Sequence, residues 1–393
     1  MASSESNLLM NKLRLFTPII LAVLASCGAE NSAENTQVDS ISFSYAIDTV
    51  MIDAKDEFLF LNMDIYFSDY SAKERLLYNI NPQSGRVEII DLENNRLEKL
   101  VQYELEGPNG ILEMAMTGLK KASNGDFFFM NYYLLNQLDS SDTKTASYRL
   151  TNEFLNGDEL AENEEIDGMG QIASDGSYFS SFYGNYQEKG GLRGIAKITF
   201  SDSTLQLIPL DFWADMDKYT IKMDVGDGRA VSSPERKFLT LDDQNFIVST
   251  TAKNSLWYYD AAMDSIFYKE YSSVLTQNEK VVNYPITASS QDSFDDANKQ
   301  KNDQVVFGPL VKDENSGRFY RYSRERDDSE NNYAYVLTIF DEELNQLHEE
   351  KMREGVTIPG YYFAAKTFVH DGMLYTFLNM EDELAFVRLK PKF

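Results

Sequence analysis

From about residue 40 to the C-terminus, apolar and polar positions follow the pattern of strands rather than of helices. Short runs of Phe, Tyr, Ile, Val and Thr are broken by clusters of Asp, Asn, Gly and Ser. β-branched and aromatic side chains pack well on a pleated surface, and Asn, Asp and Gly accept the backbone that tight turns require. A sustained helical period is lacking apart from Asp211 to Tyr219, where a short helix is expected.

One unit recurs six times, a polar turn running directly into an apolar, aromatic strand. Its copies are AKDEFLFLN (54–62), SNGDFFFMN (123–131), SDGSYFSSF (174–182), DDQNFIVST (242–250), ENSGRFYRYS (314–323) and HDGMLYTFLN (370–379). A second unit, strand, Asp/Asn-rich turn, strand, follows at 87–105, 195–210, 256–271 and 335–352, with a weaker copy at 147–160. Together these make most of a four-stranded antiparallel blade. The pattern predicts an all-β fold, a six-bladed β-propeller. The second unit of the last blade is cut short at ELAFVRLKPKF (383–393), while SISFSYAIDTVMI (40–52) is a strand to spare. The N-terminal strand is therefore expected to complete the last blade and close the ring, which removes an open sheet edge. Spacings between turns are uneven, 51 residues from 123 to 174 but 72 from 242 to 314. The rival, a pair of β-sandwiches, calls for a mid-chain linker, and none is seen.

The segment ahead of the strands carries an address. Lys12 and Arg14 precede an apolar run, Leu15 to Ala25, that is too short to span a bilayer and fits a secretory signal. Leu24-Ala25-Ser26-Cys27 matches the bacterial lipobox, in which the cysteine is acylated after cleavage. Residues 1–26 thus read as a signal peptide, with translation starting at Met10 because Glu5 opposes a positive leader. Cys27 reads as the lipidated residue, 27–39 as its flexible polar tether, and 40–393 as one propeller domain. The expected location is the cell envelope, anchored through acyl chains, with Gly28 after the cysteine favouring the outer membrane.

The lipobox, the run LLYNINPQSG and IIDLENNRLEKL leading into EGPNGI (106–111), and the ending FVHDGMLYTFLNMEDELAFVRLKP resemble domain-of-unknown-function family 4221. That family comprises lipoproteins of Bacteroidota that look like TolB-type six-bladed propellers. The resemblance implies the same fold and location, and it brings no activity and no catalytic residues.

Charge and rare residues narrow the chemistry. With 36 basic and 63 acidic side chains, the net charge of −27 argues against nucleic acid as a partner. One cysteine and two histidines cannot make a Cys/His zinc cluster. Sequence signatures of P-loops, dinucleotide folds and nucleophile elbows are missing. In a propeller, ligands meet the loops that join one blade to the next. Here those loops offer a rim of Asn109, Asp167, Asp227, Arg229, Tyr284, Tyr361 and Tyr362. No cofactor is expected, although the carboxylates and glycines of Asp224 to Arg229 are of the kind that suits calcium. His348 and His370 each adjoin an acid, and His370 is expected to lie exposed in its turn. The acidic clusters 159–167, 292–296 and 327–330 are expected to be solvated loops, and the many aromatics to be strand core.

These features favour a non-catalytic envelope lipoprotein that binds a protein or small-molecule ligand at its rim. The alternative is a propeller hydrolase acting on carbohydrate or lactone-type substrates, with carboxylates or calcium at the channel. The oligomeric state is left open.

Overall fold

The computed structural model describes residues 41–393, except 112–114, 187–190, 227–228, 328–331 and 354–364, and gives the backbone alone at 211–212. Cys27, the signal segment, Asp227, Tyr361 and Tyr362 lie outside the described residues. Among the described residues the fold is all-β, organised as successive, mostly four-stranded antiparallel sheets.

The first sheet is Asp69–Ser71, Leu76–Asn81, Arg86–Asp91 and Arg96–Gln102. The second is Met116–Lys121, Phe127–Asn131, Leu134–Leu138 and Lys144–Arg149. The third is built on Gln171–Ile172, Tyr178–Gly184, Leu192–Thr199 and Thr204–Pro209, with two-residue strands added at Asn156–Gly157 and Glu165–Ile166. Lys237–Asp242, Asn245–Thr250, Ser255–Asp260 and Ser265–Glu270 make the fourth, and Val306–Lys312, Phe319–Asp327, Asn332–Phe340 and Gln346–Lys351 the fifth. The sixth takes Thr367–His370, Met373–Met380 and Glu383–Lys392 from the end of the chain, and its outermost strand, Ser44–Met51, from the start. That strand pairs antiparallel with Glu383–Lys392 from Ser44↔Lys392 to Met51↔Ala385.

Both faces of each sheet are covered, which is why the central strands read as nearly continuous apolar runs. In Phe127-Phe128-Phe129 the first and third rings pack towards the first sheet, beside Tyr78 and Val87, and the middle ring towards the third, beside Phe179 and Ile198. Phe246 and Val248 likewise join Ile195 and Phe182 of the third sheet, while Ile247 joins Leu310 and Phe340 of the fifth. Tyr320 and Leu337 of the fifth meet Leu374 and Leu389 of the sixth. A further core joins the two ends of the chain, Leu77 and Ile90 of the first sheet against Tyr375 and Phe386 of the sixth. The arrangement is propeller-like.

Five of the six turn–strand copies fall on the second strand of a sheet. The copy at 54–62 does not: Phe58 is 87% exposed. The amide and carbonyl of Phe60 are taken instead by buried side chains of the first sheet, Glu88 Oε1 at 3.0 Å and Asn79 Nδ2 at 2.6 Å. The true counterpart is the turn leading into Leu76–Asn81. The weak copy at 147–160 is also displaced, because Asn156–Gly157 pairs in parallel with Thr204–Pro209 of the third sheet. The expected short helix forms as a 3-10 helix, Asp211–Tyr219.

An insertion was not foreseen. The hairpin Ile221–Gly226 and Arg229–Ser233 follows the third sheet, and Thr287–Ala288 with the helix Gln291–Asp303 follows the fourth. They share a small core of Ile221, Met223, Tyr284, Phe294 and Ala297. The acidic stretch 292–296, expected as a loop, is thus the first turns of a helix. Ser290 and Ser293 form a capping box at its start, and Phe294, Ala297 and Lys301 give it a narrow buried stripe. No helix among the described residues is long and apolar enough to cross a membrane.

Candidate functional site

Four antiparallel strands return the chain to the end of the sheet at which it entered. Every connection from one sheet to the next therefore leaves from the same end, where the first strand of each sheet begins. At that end Asp167 and Lys237 meet Tyr186, which lies in the hairpin between the second and third strands of the third sheet. Arg236 acts electrostatically on Tyr66, and the amide of Lys366 donates to Asp64 O. We refer to this end as the mouth.

Asp167 is set by its neighbours. Its N–H donates to Phe182 O at 2.9 Å, and its Oδ1 accepts the amide of Met169 at 2.9 Å. A side chain on Gly168 would collide with the backbone of Tyr132, and the hydroxyl of Thr117 donates to Gly168 O at 2.7 Å, so the loop sits tight on the second sheet. Asp167 Oδ2 lies 3.6 Å from Lys237 Nζ, which in turn lies over the rings of Phe182 (5.0 Å) and Tyr186 (5.4 Å). Lys366 Nζ donates to Ser68 O at 2.5 Å and holds the segment after Tyr66. Nearby, Asp69 takes Lys120 Nζ at 3.1 Å and the amide of Lys121 at 3.0 Å.

Tyr66 and Tyr186 are each 41% exposed, yet surrounding protein desolvates both phenols and raises their pKa. Arg236 opposes the rise at Tyr66 while Asp167 adds to it; at Tyr186, Asp167 and Glu165 both add. Burial lowers the pKa of Lys366, with Asp69 opposing and Lys120 reinforcing the shift. The mouth therefore presents two phenols and a set of cations interleaved with Asp167 and Glu165.

A family profile described as Domain of unknown function (DUF4221) matches residues 40–351. The chain belongs to this family. A DUF4221 family member from Bacteroides vulgatus, known from its crystal structure, is 15% identical and aligns with a TM-score of 0.63 over 89% of this chain and 98% of its own. This likeness shows the fold. A protein from Bacteroides fragilis aligns at 7% identity and TM-score 0.44, over 88% of this chain and 95% of its own. A β-propeller domain from Myceliophteria thermophila aligns at 10% identity and TM-score 0.40, over 88% and 99%. No curated protein matches the chain.

Of the residues expected at the rim of this DUF4221 chain, Asp167 takes part in the mouth. Asn109 is exposed on the turn between the first and second sheets. Arg229 is exposed on the inserted hairpin. Tyr284 is buried in the core of the insertion, its hydroxyl donating to Tyr219 O at 3.3 Å, so it is a packing residue. Asp224 accepts the amide of Gly226 at 2.8 Å. His348 pairs with Glu350 at 3.2 Å beside Phe43. Contrary to expectation, His370 is buried. Tyr66, Tyr186, Arg236, Lys237 and Lys366 were missed. Lys237 and Lys366, placed just where apolar strands begin in an acidic chain, were the available signal.

Proposed function

We propose that this chain is a cell-envelope lipoprotein, anchored through acylated Cys27, whose six sheets are the blades of a closed propeller. In this reading the propeller binds a polar ligand or protein segment without catalysis. The pairing of Ser44–Met51 with Glu383–Lys392, and the core shared by the first and sixth sheets, support six blades and closure. The lipobox supports the anchor. The binding reading is carried by the mouth, where the half-exposed rings of Tyr66 and Tyr186 stand near Arg236 and Lys237. Phenols with one apolar face and one polar tip, flanked by charges, suit recognition of polar partners.

Two experiments test these statements separately. Replacing Cys27→Ser is expected to abolish labelling by a radioactive fatty acid and to release the protein from the membrane fraction. Continued labelling would remove the anchor from the proposal. Cross-linking in native membranes, followed by affinity purification, is expected to enrich a stoichiometric partner. The double variant Tyr186→Ala/Lys237→Ala should reduce that yield at least about tenfold, as loss of a binding hot spot does. An unchanged yield would move the binding surface away from the mouth.

A further inference from the structure

The opposite end of the sheets, where their first and third hairpins turn, brings together a second cluster at the seam between the first and sixth sheets. Glu93 comes from the turn after Arg86–Asp91, and His370 and Asp371 from the turn before Met373–Met380. Tyr70 and Arg75 come from the first hairpin of the first sheet. The imidazole of His370 is only 2% exposed and packs edge-on against the rings of Tyr70 and Tyr375, with centroids 5.6 and 5.3 Å away. Its Nδ1 lies 2.8 Å from the hydroxyl of Tyr70. This clamp leaves Nε2 facing Asp371 Oδ2 at 3.8 Å and Glu93 Oε1 at 3.9 Å.

Those separations are too long for hydrogen bonds. They are close to the spacing of about 3.3 Å that two ligands keep across one tetrahedral ion with bonds of about 2.0–2.1 Å. One ligand atom from each of the three residues lies within 4.8 Å of the others. A buried, clamped imidazole with its second nitrogen held by a hydroxyl is a ligand already oriented by its surroundings. We propose that Glu93, His370 and Asp371 form a binding site for a divalent transition-metal ion of the zinc class, which ties the last sheet to the first. One nitrogen and two carboxylate oxygens suit such an ion, whereas calcium seeks six to eight oxygens. Water would complete the coordination.

Arg75 is the competitor. Its guanidinium contacts both Glu93 and Asp371, the latter at 2.5 Å. The side chain is 41% exposed, and exposed ion pairs of this kind contribute little, so it can turn out to solvent when the metal enters. Metal and Arg75 thus exclude one another at the two carboxylates.

The test is a titration of the full chain, stripped with chelator and carrying no histidine tag, with Co²⁺ followed by its visible absorption and then with competing Zn²⁺. One equivalent of Co²⁺ is expected to bind and to be displaced by Zn²⁺ but not by equimolar Ca²⁺. Glu93→Gln and Asp371→Asn, at exposed positions that leave the fold intact, should weaken binding at least about tenfold, and His370→Ala should remove the nitrogen-ligand spectrum. Arg75→Gln should tighten binding. The proposal is overturned if neither the wild type nor Arg75→Gln takes up one equivalent. Equal uptake by Glu93→Gln and Asp371→Asn, or displacement by Ca²⁺, overturns it too.

Discussion

Deleting residues 1–51 is expected to unfold the chain or drive it into aggregates, whereas deleting 1–39 leaves it folded. The difference is the strand Ser44–Met51. Its eight residues pair with Ala385 to Lys392 of the last strand. Asp48 receives Arg388 through Nε and Nη2, both at 2.7 Å. The ring of Tyr45 is buried with Val306, Tyr320, Leu337 and Leu389 in the core between the fifth and sixth sheets, and its hydroxyl accepts the amide of Arg353 at 2.8 Å. Removing one large buried ring costs about 3–5 kcal/mol. Total stabilities run to only about 5–15 kcal/mol. Losing the ring, the ladder and the ion pair together approaches or exceeds that total. It also bares an apolar strand edge, Leu384 to Leu389, to other chains. Circular dichroism and gel filtration of the two truncations decide the matter. A 52–393 fragment that elutes like the 40–393 fragment, with an unchanged urea midpoint, would show that the strand is dispensable.

The second large effect is expected from Glu235→Gln, a loss of about 3–5 kcal/mol, the usual cost of leaving a buried charge without its partner. Glu235 is the carboxylate shared by two buried lysines. Lys280 Nζ lies 2.9 and 3.1 Å from its oxygens, and Lys301 Nζ lies 3.6 Å away while donating to Ser233 O at 2.7 Å. Thr251 donates its hydroxyl to the same carboxylate. These contacts fasten the helix Gln291–Asp303 to the start of the fourth sheet. Burial lowers the pKa of Lys301 to about 8, with Glu235 opposing the shift and Lys280 reinforcing it.

The sign of the pH dependence follows. A lysine with a folded pKa of about 8 against 10.5 when free destabilises the fold fully below pH 8, where both states are charged. That cost is relieved as pH rises from about 8 to 10.5, because there the unfolded chain binds the extra proton. Lys301 should therefore add about 1 kcal/mol of stability between pH 7 and 9. In Glu235→Gln the rise should be steeper. Urea midpoints at the two pH values test both statements, and parallel, flat profiles would refute them. The comparison stops at pH 9 because the tyrosines whose pKa burial raises, such as Tyr70 at about 12, work in the opposite direction once unfolded phenols ionise.

What could be read in advance follows the range of each interaction. Turn chemistry is local. Asn124-Gly125 and Asp175-Gly176 turn the chain with positive φ at glycine, and the apolar runs after them became second strands as expected. The same logic failed at 54–62, where the decisive contacts were Glu88 and Asn79, buried residues of a sheet formed later in the chain. It failed again at 291–303, whose mean polarity resembles a loop until Phe294, Ala297 and Lys301 find a core to enter.

The candidate sites were less legible than the strands. Asp167 was singled out from its glycine-rich loop, but Tyr66, Tyr186 and Lys237 become neighbours only because successive sheets all begin at one end. His370 was expected in solvent because its turn, HDG, is polar. Its burial comes from Tyr70 of the first sheet, 300 residues earlier, which packs across the seam.

By itself, then, the order of apolar runs and turn residues determined the strand content, the four-stranded unit and the spare N-terminal strand. Each of these rests on neighbours in sequence or on simple strand arithmetic. Tertiary structure alone decided which polar groups meet: the mouth, the Glu235 lysine pair, and the Glu93, His370 and Asp371 seam. Their partners lie tens to hundreds of residues apart, and only the packing of sheet against sheet brings them within a few ångströms.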